Sequence, residues 1–151
     1  MKLALVSLLE TRSEMPFHPY TISTEALEIA VLSYMMWNPG KVEGLTGEEF
    51  TCPIRRSIYS MLLSGMVYEQ LGEELHRQDV TSPEYLIRDI LYSPTLADDY
   101  VIQAIAELQR SHRISQLHDD VRKWLRRTEP LTFEVACSSL VQVITKAARR
   151  R

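Results

Sequence analysis

The chain has 151 residues, 45% of them apolar and 25% charged, and a net charge of −3. That length suits one domain, or one small domain with an extension, and that balance belongs to a folded chain rather than a disordered or membrane-embedded one. Two cysteines far apart, Cys52 and Cys137, exclude a disulfide framework and point to a reduced, cytoplasmic setting.

The charge is unevenly spread. Residues 110–151 hold ten Lys/Arg and four Asp/Glu, giving +6, whereas residues 1–109 hold seven and sixteen, giving −9. Solvated helix surface explains most of such a split. The sharper reading is a partner with an acidic face, or nucleic acid.

Residues 1–22 read as an amino-terminal extension. Residues 1–9 are apolar like a signal peptide, but Glu10, Arg12 and Glu14 follow and no small-residue cleavage site appears. A segment packed on the main body is expected instead. No stretch is long enough to span a membrane, and the most apolar one, 26–37, contains Glu28.

A first helix is expected to start at Ser23 or Thr24, where a hydroxyl can cap the free amides. Ala26, Leu27, Ala30, Val31, Tyr34 and Met35 make its apolar face, and Asn38-Pro39-Gly40 stops it. Trp37 is expected in the core. Residues 46–50 suggest one short helical turn that buries Phe50. A second helix opens with Pro53, where a missing N–H costs nothing, and is expected to run until it frays near Gly72. Ile54, Ile58, Leu62 and Met66 form its apolar row, with Arg55 and Arg56 outside. A third helix takes Ser82 as cap and Pro83 as first residue, buries Leu86, Ile87, Ile90 and Leu91, and ends at Ser93-Pro94.

The segment 98–127 has the apolar period of one long helix. Val101, Ile105 and Leu108 set one stripe; Ile114, Leu117, Val121 and Trp124 set another. The two are out of step at residues 110–113. Thr128-Glu129-Pro130 breaks the pattern, and 132–149 is expected as a last helix with Phe133, Ala136, Leu140, Ile144 and Ala147 facing inward. The fold class is therefore all-α: a compact helical head over 23–97, followed by a long antiparallel helical hairpin over 98–151 with a basic end.

Chemistry is sparse. No phosphate loop or dinucleotide-binding glycine pattern occurs among the five glycines. His18, His76, His112 and His118 include no i, i+4 pair and stand at no ligand spacing to a cysteine, so no metal or other cofactor is expected. Asp98-Asp99 and Asp119-Asp120 are adjacent in sequence and point apart on a helix; the first pair suits a helix start. No catalytic residue is expected. Arg122, Lys123, Arg126 and Arg127 cluster around Trp124, either to complement the helix dipole or to contact phosphates.

A family resemblance adds to this reading. Glu25, the run Glu28-Ile29-Ala30-Val31-Leu32 and Asn38-Pro39, then Glu49-Phe50, Pro53 and Arg56-Ser57-Ile58-Tyr59, resemble the amino-terminal domain of DnaB-type bacterial replicative DNA helicases. Residues 99–102 with Arg113-Ile114 are similar to the start of that domain's hairpin, and 133–146 to its second helix. The likeness spans roughly 24–149. An extra helix that the family has before its hairpin finds little room in 71–98, and the motor domain with its phosphate loop is absent from the sequence.

The resemblance implies a collar domain that catalyses nothing. It pairs hairpins between neighbouring subunits and receives primase or loader proteins. Tyr100, Ile114, Leu117, Val121, Phe133, Leu140 and Ile144 would then mark hairpin packing and subunit pairing, with Trp124 placed either inside the hairpin or against another subunit. The expected function is an interaction and oligomerisation module of DNA replication. The expected partners are a second copy of itself and a helicase, primase or loader. The alternatives are a phage- or plasmid-type regulator of a host helicase or primase, and a DNA-binding protein that uses the basic hairpin end.

Overall fold

The structure, a computed structural model, describes residues 23–94, 96–127 and 132–150. The expected amino-terminal extension and the break at Thr128-Glu129-Pro130 lie outside them. Six helices and no strand occur among the described residues: α1 Thr24–Trp37, α2 Pro53–Leu63, α3 Tyr68–Arg77, α4 Pro83–Leu91, α5 Asp98–Leu125 and α6 Phe133–Arg149. The protein is all-α. It divides into two compact units, one up to Gln109 and one from Arg110. The boundary expected at 97/98 is the start of α5; the units divide within that helix.

Helix α1 is the axis of the first unit. Ser23 Oγ accepts from the Ala26 amide at 3.1 Å, as a capping serine should. At the other end Asn38 closes the helix by donating both its backbone N–H (2.8 Å) and its side-chain amide (3.1 Å) to the Tyr34 carbonyl. Between these caps, burial extends beyond one stripe to include Glu28, Leu32, Ser33 and Met36. The helix is enclosed on most sides, packing on α2 and on α4, while α3 packs on both of those. Trp37 departs from expectation. It is 54% exposed, and its indole N–H donates to the Leu91 carbonyl at 3.0 Å. The hydrogen bond holds the ring at the rim of α4 instead of in the core.

The loop after α1 is ordered by Glu49, whose carboxylate accepts from the Thr46 amide and the Gly47 amide, each at 3.0 Å. Residues 46–50 form a turn closed from Phe50 N–H to the Gly47 carbonyl, not a helix. It does bury Phe50, which stacks on Tyr59 with ring centroids 5.0 Å apart. Tyr59 in turn donates its hydroxyl to the Leu45 carbonyl at 2.8 Å. Burial and the nearby Glu49 charge push its phenol above the usual range.

Helix α2 ends at Leu63, well short of Gly72. Gly65, at φ +92, turns the chain, and Gly72 lies inside the separate helix α3. A Cβ on Gly72 would meet Ile87 Cδ1 at 3.7 Å, an ordinary contact, so the packing of α3 on α4 does not depend on a glycine there. Arg55 was expected outside α2, but it reaches inward to Glu28. Arg56 does stay exposed and donates to the Phe50 carbonyl at 2.9 Å. Pro83 opens α4 as expected. Ser82 stands at the N-cap as expected, its carbonyl accepting from the Tyr85 amide at 3.2 Å, but it sits in the left-handed region at φ 51 and its hydroxyl bonds no helix amide. The first turns of α5 complete this unit by burying Val101, Ala104 and Leu108 in the same core as Leu71, Leu75 and Ile90. Tyr34 donates to Asp98 at 2.7 Å, tying α1 to the start of α5.

Candidate interaction surface

The second unit is built differently. Past Leu108, α5 has no buried residue, and α6 has none at all. Thr132 caps α6, its hydroxyl accepting from the Val135 amide at 3.4 Å. Leu117, Val121 and Trp124 of α5 are half-buried, as are Ala136, Ser139, Leu140, Val143 and Ala147 of α6. Two polar contacts join the helices: the Trp124 indole N–H donates to Ser139 Oγ at 2.9 Å, and Arg150 pairs with Asp120 at 2.9 Å.

The inward row of α6 is thus 136, 139/140, 143 and 147, which corrects the expectation for two residues. Phe133 is 81% exposed and Ile144 is 44% exposed. At 100° per residue both lie on a second row, with Cys137, Val141 and Ala148, about 100° around the helix from the first. Every member of that row is exposed. Helix α5 has a matching second row. Ile114 and Leu125 are exposed beside half-buried Val121, with His118 completing the period. A soluble helix pair normally shows its partner one apolar row and water a polar remainder. Here α6 has an additional apolar row with no partner among the described residues, and α5 adds exposed Ile114 and Leu125 on either side of His118.

The sequence candidates therefore separate into groups. Leu117, Val121, Trp124 and Leu140 lie where α5 and α6 approach. Ile114, Phe133 and Ile144 lie on the exposed rows. Tyr100 is elsewhere: it belongs to the first unit and packs half-buried against that unit's core. Of the basic candidates, Arg122 and Arg126 are exposed, Arg122 standing 3.8 Å from Asp119. Lys123 and Arg127 line a groove together with Lys146 and Arg150 of α6. The sequence reading missed Leu125, Cys137, Val141, Lys146 and Arg150. For Cys137 and Val141 the signal was the i, i+3/i+4 spacing on α6, which yields a second row once the inward one is fixed by Ala136, Ser139 and Val143.

Among the described residues no group of three or more His, Cys, Asp or Glu is placed to hold a metal ion. Among the same residues no helix is long and apolar enough to cross a membrane. No known protein family, curated protein or solved structure matches this chain.

Proposed function

We propose that the chain is a helical interaction and oligomerisation module of DNA replication, in which the second unit is an antiparallel hairpin that pairs with a second copy. The observation that carries this reading is the unpartnered apolar row of α6, from Phe133 through Val141 to Ile144. The paired contacts 124–139 and 120–150 suit antiparallel helices, because a step back along α5 matches a step forward along α6. In such a hairpin both exposed rows are offset from the contact in the same rotational sense. They then fall on one face. A contiguous apolar face of this kind marks an interaction site, and a two-fold axis lets one patch serve both partners.

A second copy is the favoured occupant for two reasons. From Arg110 on, no described residue is fully buried, so the hairpin gains a core by doubling. The resemblance to the helicase collar implies hairpin pairing between subunits, with helicase, primase or loader proteins as further partners. Light scattering across micromolar concentrations tests the pairing. A dimer or larger assembly is expected, and Val141→Glu with Ile144→Glu should reduce it to a monomer with unchanged helical circular dichroism. A wild-type chain that stays monomeric throughout would remove the pairing.

A further inference from the structure

The second unit has a groove of about 280 Å³ lined by Lys123 and Arg127 from α5, Lys146 and Arg150 from α6, and Asp120. Asp120 is engaged by Arg150 at 2.9 Å. No acid among the described residues pairs with Lys123, Arg127 or Lys146. Four cations against one carboxylate leave the groove at +3. Trp124 also lines it, but its N–H is already given to Ser139.

We propose that this groove binds the sugar–phosphate backbone of a single nucleic acid strand. On each helix the cations stand four residues apart, so about 6 Å separates them along the axis. That spacing is comparable with the gap between neighbouring phosphates of one strand. Two such rows converge on one concavity, and each can neutralise one or two phosphates. Lysine supplies a point charge and arginine a donor fork, both suited to phosphate oxygens. The groove is too small to receive a rigid duplex, whereas a flexible strand can bend into it. A basic groove that tracks the backbone without reading base edges binds without sequence preference.

The groove also lies on the other side of the helices from the apolar rows. Counting 100° per residue, Lys123 and Arg127 fall to one side of the inward row of α5, and Ile114 and Leu125 to the other. Lys146 and Arg150 are separated from Val141 and Ile144 in the same way. Pairing through the apolar face therefore leaves the groove open. That last point rests on the hairpin reading; the groove itself rests only on its lining residues.

Fluorescence anisotropy of a labelled oligothymidylate strand with the full chain tests the assignment. Binding at low salt is expected to weaken with a log–log salt slope of about −2 to −3, from three to four cations on a single strand. Arg127→Gln with Lys146→Gln should flatten that slope by about 1.4 and weaken binding at least severalfold, with circular dichroism and molar mass unchanged. Asp120→Asn, which removes the acid among the described lining residues, should tighten binding. Val141→Glu with Ile144→Glu should leave each chain's binding in place, which separates failure of the groove from failure of subunit pairing. No binding at low salt would overturn the proposal. So would indifference to the Arg127 and Lys146 changes, tighter binding of the matching duplex, or equal binding of an acidic peptide.

Discussion

Glu28 is the residue whose chemistry the fold constrains most. Its carboxylate is fully buried on a largely apolar helix. It accepts from the Thr51 amide at 2.6 Å, from the Thr51 hydroxyl at 2.7 Å and from the Arg55 guanidinium. Arg55 also reaches Glu25 at 3.2 Å. Burial works against the charge on Arg55, but the bond to Glu28 and the adjacent negative charge outweigh it and raise its pKa. The arrangement fixes where the loop after α1 enters α2. Its energetic signature is asymmetry: removing one partner leaves the other desolvated and unpaired. Glu28→Ala should therefore destabilise the protein by about 3–5 kcal/mol. Urea unfolding measures this. In the double variant with Arg55→Ala the loss should fall short of the sum of the two singles, because the contact can be lost only once. Strict additivity would mean the pair is not coupled.

At the scale of elements, the boundary between α3 and α4 carries the positive-φ non-glycine residues among those described, Asp79 and Ser82. Ser82 precedes Pro83 in the left-handed region, φ 51 and ψ 52, with no side-chain bond to repay it. A non-glycine residue there costs about 1–2 kcal/mol. Glycine removes that cost but gives the unfolded chain more freedom. Ser82→Gly should thus stabilise the protein by about 0.5–1 kcal/mol, read as a higher urea midpoint with an unchanged slope. A lower midpoint would show that the serine contributes something its geometry does not display. The same boundary illustrates what the sequence reveals. Proline at the first position of a helix and glycine after its end are local signals, so the starts of α2 and α4 and the all-helical class were legible. Ser82 looked like a side-chain cap because residue type is local, whereas its φ is set by the chain's path from α3. The break between α2 and α3 was hidden because the apolar row through Ile58, Leu62 and Met66 continues past Leu63. Only Gly65 marks the turn, and its role depends on how α3 packs. Trp37 and Arg55 were misplaced for a related reason. Each is positioned by a distant partner, the Leu91 carbonyl and Glu28, and no periodicity encodes such a partner.

At the scale of the whole molecule, the two units bury apolar side chains to different degrees. The first contains every buried apolar residue among those described, from Leu27 to Leu108. The second contains none, and Phe133, Val141 and Leu125 are each more than half exposed. Hydrophobic burial is the main stabilising term, so the second unit has little to set against the entropy of ordering α6. It should unfold at lower denaturant than the first unless assembly supplies the missing contacts. Self-association then stabilises it by mass action. The midpoint of α6, followed by amide hydrogen exchange through urea, is expected to rise with protein concentration. For a dimer, each tenfold increase contributes about 1.4 kcal/mol per dimer. The transition of α1 and its neighbours should not move. Val141→Glu with Ile144→Glu should abolish the dependence and hold the midpoint of α6 at its low-concentration value. A single transition shared by both units and independent of concentration would mean that the apolar rows of α5 and α6 do not take part in assembly.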